Sequence, residues 1–267
     1  MSLKIVVLAK QVPDTRCVGK DAMNADGTIN RAALPAIFNP EDLNALEQAL
    51  RLKDTHPGST VTILTMGPGR AAEIIREGLY RGADNGYLLT DRAFAGADTL
   101  ATSYALATAI RKIGAYDIIV GGRQAIDGDT AQVGPQIAEH LGIPVISYAQ
   151  EIKVDGDSVI VKRQYDDGYH MLKAKMPCLV TALSELNEPR YMTPGGIFDA
   201  VNAEITTLGR ADLVDVDDSN LGLKGSPTKI AKASDKVRKG AGEKVVPDSP
   251  DEAVSYIVGK LKDKHVI

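Results

Sequence analysis

The chain has 267 residues, 31 Lys and Arg against 35 Asp and Glu, and a formal net charge of −4. That length can bury one substantial core with a small second lobe, and the mild acidity points away from nucleic acid. No apolar run reaches the length of a bilayer span, and residues 1–10 read as a strand rather than a signal or transit peptide, so the expectation is a cytoplasmic protein.

Residues 3–9 are an apolar run of the kind buried in a parallel sheet. The polar stretch 10–38, with Pro13, Pro35 and an Asp26-Gly27 turn signal, reads as a long irregular loop, functional or laid over a partner. Asn39-Pro40-Glu41-Asp42 opens a helix, with Asn as cap, Pro at the first position and acids in the first turn. Leu43, Leu46 and Leu50 form its buried stripe, and Pro57-Gly58 ends it. A second strand, 61–64, stops at Met66-Gly67-Pro68-Gly69. Ile74, Ile75 and Leu79 mark a helix ending at Gly82, 87–89 is a third short strand, and 100–113 is an Ala-rich helix suited to packing on a sheet.

The segment 116–141 organises the rest. Ile118-Ile119-Val120 is a strand, Gly121-Gly122 breaks it, and Val133, Ile137 and Leu141 repeat every four residues as one helical stripe. Strand, glycine turn and helix in this order form the half-unit of nucleotide sites in open α/β sheets. Gly121, Gly122 and Gly128 allow close approach to the backbone, Arg123, Gln124, Thr130 and Gln132 supply donors, and the amides of the helix start can hold an anion. The plain alternative is a chain reversal with ordinary glycines. Asp127 and Asp129 favour that alternative, because both are ready helix caps and both repel phosphate.

Alternating strands and helices over 4–146 predict a doubly wound, mostly parallel sheet with right-handed crossovers. Ligands of such sheets lie beyond the carboxyl ends of the strands, here Ala9-Lys10, Thr65-Met66-Gly67 and Gly121-Gly122-Arg123. After Pro144 the pattern changes to two reversals, at Asp155-Gly156-Asp157 and Asp166-Asp167-Gly168, which predict an antiparallel hairpin arm over about 150–176. Residues 178–183 are apolar and return to the sheet interior. Beyond Leu183 regular elements are expected to stop, and 209–248 is polar without periodicity, a tail or an arm lying on another subunit. Ser249-Pro250-Asp251-Glu252 is a capping box before the stripe Val254, Ile257, Val258 and Leu261, a short helix in need of a surface.

Cys17 and Cys178 are far apart without metal-ligand spacing, and His56, His140, His170 and His265 are scattered. Walker, GxGxxG, GxSxG and HExxH motifs are lacking. Neither a metal nor a catalytic nucleophile is expected.

Three stretches are specific enough to compare with a known family. They are Asn39-Pro40 with its Leu-rich helix; the string Gly122-Arg123-Gln124-Ala125-Ile126-Asp127-Gly128-Asp129; and Val161-Lys162-Arg163 through Asp166-Asp167-Gly168 and Pro177-Cys178-Leu179-Val180-Thr181 to Leu186-Asn187-Glu188-Pro189-Arg190-Tyr191. Over nearly its whole length the chain resembles the beta subunit of electron transfer flavoprotein. The resemblance implies a domain of the adenine nucleotide alpha-hydrolase-like kind over 1–208, a recognition loop over about 184–198, and a C-terminal arm with its helix over 209–267 that contacts an alpha subunit. Carried over by position, the nucleotide would touch Ala9, then Asn39, Pro40, Glu41 and Asp42, then Met66. It would also touch Arg123, Gln124, Ala125, Asp127, Gly128 and Asp129, continuing through Thr130, Ala131, Gln132, Val133 and Gly134. Leu186, Asn187, Glu188, Pro189, Arg190 and Tyr191 would dock an acyl-CoA dehydrogenase or similar flavoenzyme.

Two positions depart from the family. An apolar leucine anchor present in some members is replaced by Met192-Thr193-Pro194-Gly195-Gly196, and His170 stands where an acidic residue or Gln is usual. The loop Asp127-Gly128-Asp129-Thr130-Ala131-Gln132-Val133-Gly134-Pro135 is similar to that of the electron-bifurcating branch, in which FAD takes the place of AMP. That likeness implies a hydride from NADH, one electron to ferredoxin or flavodoxin, and the other through the alpha-subunit FAD to a dehydrogenase, with Arg123 tuning the flavin. The alternatives are an AMP-containing electron shuttle and, from another class, a stand-alone nucleotide sensor.

Overall fold

Along β1 (Lys4–Ala9) successive side chains enter different cores. Ile5, Val7 and Ala9 join one buried cluster, while Val6 and Leu8 join another, as the two-residue period of a strand covered on both faces requires. The structure, a computed structural model, describes residues 1–14, 35–228, 240 and 242–267; Cys17 and the Asp26-Gly27 turn lie outside the described residues.

β2 (Gln11–Pro13) and β3 (Ala36–Phe38) pair antiparallel, so the two ends of the stretch read as an irregular loop are tied together. After them come α1 (Pro40–Thr55), β4 (Thr60–Met66), α2 (Ala72–Tyr80), β5 (Asn85–Leu89), α3 (Thr99–Ile113), β6 (Ile118–Gly122) and α4 (Val133–Leu141). Leu46 and Leu50 of α1 and Ile74, Ile75 and Leu79 of α2 cover one face of the sheet. Leu106 and Ile110 of α3 and Ile137 of α4 cover the other. β7 (Val145–Asp155), β8 (Ser158–Tyr165) and β9 (Gly168–Lys175) form the expected antiparallel arm, and β10 (Cys178–Ala182) returns to the interior between β6 and β7.

Nine of the eleven strands among the described residues form the main sheet, in the order β11-β5-β4-β1-β6-β10-β7-β8-β9, with β11 (Ile205–Leu208) at one edge. From β11 to β7 all neighbours are parallel; β7–β8 and β8–β9 pair antiparallel, so β8 alone runs against the rest. The chain steps from β1 to β4 to β5 on one side of β1, then crosses to β6 on the other. The order therefore reverses between β1 and β6, and this is the switch point where open α/β sheets form a crevice.

Two elements run against the expectation that regular structure ends at Leu183: α5 (Pro194–Ala200) and β11. α2 packs close over β5, since a Cβ on Gly86 would stand 2.1 Å from Ile75 Cγ2. Beyond β11, Leu213 and Leu221 are buried, the Tyr104 hydroxyl accepts the Asp217 N–H at 2.8 Å, and buried Ser226 accepts the Asp98 N–H at 2.8 Å. The first compact unit thus runs Met1–Ala231, past residue 208, and a second runs Lys232–Ile267.

The second unit holds α6 (Pro250–Asp263), capped by the Ser249 hydroxyl, which accepts the Glu252 N–H at 3.2 Å. None of its residues is buried; Val254 is 59% and Ile257 57% exposed. Among the described residues no helix is long and apolar enough to cross a membrane.

Candidate functional site

At the switch point three strand ends stand side by side, with Ala9 paired to Thr65 of β4 and Leu8 to Gly121 of β6. The first turn of α1 reaches over them. Asn39 occupies the N-cap position, yet its side chain caps nothing. Instead its Nδ2 donates to the Gln124 carbonyl at 2.9 Å and its Oδ1 accepts the Ile126 N–H at 3.1 Å. Asp42 accepts the Lys10 N–H on one oxygen and the Gly122 N–H on the other, each at 2.9 Å. Glu41 accepts the Gln124 N–H at 3.0 Å and pairs with Arg123 Nη2 at 2.9 Å.

Asn39, Glu41 and Asp42, all buried, are thus directed at the backbone of the loop after β6 and at its first side chain. Pro40 lies exposed at the helix start. Burial pushes Asp42 up to about 7, against the pull of the Lys10 and Gly122 amides. It also raises Glu41, opposed by the Gln124 amide and Arg123. Gly122 is required by space: a Cβ there would stand 2.5 Å from Asp42 Oδ1 and 2.8 Å from its backbone nitrogen.

The loop itself turns on the Ala125 carbonyl, which accepts N–H groups from Gly128 at 3.2 Å and Asp129 at 2.9 Å. Asp129 and Ala131 take left-handed backbone angles, φ 49° and 53°. Neither predicted acid caps α4. Asp127 is held by Lys10 Nζ at 2.6 Å, and Asp129 accepts from Gln124 Nε2 at 2.8 Å. The N-cap is Gln132, whose side chain goes to Thr99 Oγ1 at 2.9 Å, so α4 starts with no side-chain cap and no acid in its first turn.

Val133 opens α4, and Gly134 lets that helix start close onto β10, where a Cβ would stand 2.7 Å from Thr181 Cγ2. Gly128, Asp129 and Thr130 are exposed, and Met66 is half-buried at the end of β4. The Nε of Arg123 is buried and has no partner among the described residues. Ile126, within the Arg123–Gly134 loop, lines an adjoining hollow of about 570 Å³ with Phe38, Pro40 and Leu43.

The segment 184–201 is fastened to the side of α1 and to α2. Asn44 Nδ2 donates to the Asn187 carbonyl at 2.6 Å and Asn187 Nδ2 returns to the Asn44 carbonyl at 3.0 Å. Arg51 reaches the Glu188 carbonyl at 3.4 Å, Arg81 the Arg190 carbonyl, and Arg76 the Val201 carbonyl at 2.8 Å. Leu186 packs partly buried on the core and Pro189 is half-buried, whereas Tyr191 is 86% and Phe198 80% exposed.

An open α/β sheet with a glycine-lined crevice at its switch point is the architecture on which one flavoprotein family is built, and residues 26–219 match its domain: the chain belongs to the electron transfer flavoprotein family. Within that family it is a beta subunit, a kind of chain that pairs with an alpha subunit. It is 52% identical over 265 residues to the electron transfer flavoprotein subunit beta of Clostridium acetobutylicum, covering 99% of this chain and all of that one. It is 48% identical, over 99% of this chain and all of each relative, to the caffeyl-CoA reductase-Etf complex subunit CarD of Acetobacterium woodii and to the acryloyl-CoA reductase electron transfer subunit gamma of Anaerotignum propionicum. This likeness leaves no place for the stand-alone sensor.

Proposed function

We propose that the β1–β6 crevice binds FAD, and that the chain works in a heterodimer that bifurcates electrons from NADH. One electron would pass to ferredoxin or flavodoxin and the other to an acyl-CoA-type dehydrogenase. The observation that carries the nucleotide is the start of α4. Its amides lie beside the switch point with no side-chain cap and no acid in the first turn, while the two loop acids are occupied by Lys10 and Gln124. An uncapped helix start of this kind favours a phosphate.

When bound, the flavin supplies the exchange between two-electron and one-electron chemistry. The chain's part is to hold and orient it. Asn39, Glu41 and Asp42 fix the loop, and Arg123 brings a cation whose Nε is free to donate. FAD is favoured over AMP because Gly128 has open space around it, a Cβ there meeting nothing within 4 Å, and Ala131 adds only a methyl. The names of the Acetobacterium and Anaerotignum relatives support a CoA-thioester reductase or dehydrogenase as partner, docking on 184–198.

Co-expression with an alpha subunit, denaturation and chromatography of the released cofactors tests this reading. Two FAD per heterodimer are expected. One FAD with one AMP retires bifurcation in favour of the AMP-containing shuttle.

A further inference from the structure

We propose that Asp42 is a proton-linked positioning residue. As a carboxylate it clasps the ends of β1 and β6 together, and on taking up a proton it releases one of the two strand-end amides to an anion in the crevice.

The clasp is a matter of acceptor count. Asp42 Oδ2 holds the Lys10 N–H and Oδ1 holds the Gly122 N–H, one from each side of the switch point. A carboxylate can accept both. A carboxylic acid keeps one good acceptor and turns its other oxygen into a donor, which faces an N–H that also donates. One bond must then be lost, and a buried amide left without a partner is destabilising until something else accepts from it. The strand end and the first turn of α1 are already close-packed there, since a Cβ on Gly122 would stand 2.5 Å from Asp42 Oδ1 and 2.8 Å from the Asp42 nitrogen.

Burial favours the proton on Asp42 and the neighbouring Glu41 charge adds a smaller push, against the hydrogen bonds of the Lys10 and Gly122 amides and of the Asn39 side chain. Glu41 stands beside it on the same turn, with Glu185 near Glu41 from the segment after β10. On the loop after β6, Arg123 is spent on Glu41, and Asp129 is held by the neutral Gln124. From the end of β1, the Lys10 ammonium is spent on Asp127. Burial of Asp42 brings its titration to about 7, so both forms are populated near neutrality. A nucleotide phosphate adds negative charge and an acceptor, and both effects shift Asp42 toward its acid form. Nucleotide binding is therefore accompanied by proton uptake, and affinity falls as pH rises through about 7.

The linkage rests on the crevice being a nucleotide site; the clasp does not, so the test has two arms. In the ligand-free full chain, amide hydrogen exchange at Lys10 and Gly122 is followed from about pH 6 to 8, normalised to intrinsic rates. Protection of one of the two is expected to fall severalfold on the acid side of 7, and to be independent of pH in Asp42→Asn. Constant protection in the wild type overturns the clasp even if the variant does not fold. In the second arm ADP is titrated calorimetrically in buffers of different ionisation enthalpy. Proton uptake and a loss of affinity of up to about tenfold per pH unit are expected for the wild type, and neither for Asp42→Asn. Unchanged linkage in the variant overturns the proposal. A pH-dependent clasp in a chain that binds no ADP leaves Asp42 its role and removes the nucleotide reading instead.

Discussion

Glu47 of α1 grips Arg190 three times. One carboxylate oxygen accepts the Arg190 N–H at 3.1 Å and Nε at 2.8 Å, and the other lies 3.3 Å from Nη2. Arg190 also reaches Asp54 at 2.8 Å, and Arg51 Nε binds Glu47 at 2.7 Å. One helix thus fastens the crevice loop with its first turn and the 184–201 segment with its side. The backbone of that segment is held while Tyr191 and Phe198 are exposed, so a partner that docked there would meet backbone already ordered.

Glu47→Ala would leave the Arg190 guanidinium and amide without their acceptor. The expected loss is about 1–3 kcal/mol in denaturant unfolding, with faster proteolysis within 184–201. In the heterodimer, electron delivery to an acyl-CoA dehydrogenase should slow while cofactor content stays constant. Normal delivery would rule out the docking role proposed for the segment.

The same pair sets a pH dependence. Burial pushes Glu47 up, but the hydrogen bonds from Arg190 and Arg51 outweigh it and hold the carboxyl below its ordinary value of 4.5. A depressed carboxylate contributes stability above its unfolded value and loses it as pH falls through the folded one. Resistance of 184–201 to an acid-tolerant protease should therefore persist at about pH 5 and disappear well below 4.5.

Gly122→Ala and Gly128→Leu should separate folding from ligand fit. The first drives a methyl into Asp42, at an expected cost of about 1–3 kcal/mol and loss of the cofactor. The second meets open space, so stability should change by less than about 0.5 kcal/mol. Its effect should fall on the ligand, lowering the FAD recovered per heterodimer.

Arg123→Ala removes the cation beside the loop and leaves Glu41 buried without it. If Arg123 stabilises the reduced, anionic flavin, the potential should fall by about 30 mV or more, which for a two-electron couple is about 1.4 kcal/mol. Spectroelectrochemistry of the heterodimer decides it; unchanged potentials assign Arg123 to Glu41 alone.

Residues 133–141 could be recognised before folding because Val133, Ile137 and Leu141 mark a helical face by local spacing alone. The same holds for β1, β6 and the hairpin arm. β11 could not: Ile205-Thr206-Thr207-Leu208 has apolar residues only at its ends, and its strand character comes from pairing with β5, more than a hundred residues earlier. α5 carries Gly195-Gly196, read as loop, but a Cβ on Gly196 would stand 2.4 Å from the Tyr80 carbonyl, so that glycine serves contact with α2. Leu213 and Leu221 sit in a polar stretch with no period, and only tertiary contact buries them. At the crevice the positions were legible but their use was not. Asn39 reads as a helix cap until the loop it holds, some eighty-five residues away, is in place.

Photolabelling of the intact heterodimer with an 8-azido-adenine nucleotide, followed by peptide mapping, asks where the nucleotide lies. Label is expected on the beta chain within 122–134 or the 39–42 turn, and it should be competed by unlabelled FAD. Label confined to the alpha subunit, or to peptides of this chain away from the β1–β6 crevice, would contradict the site.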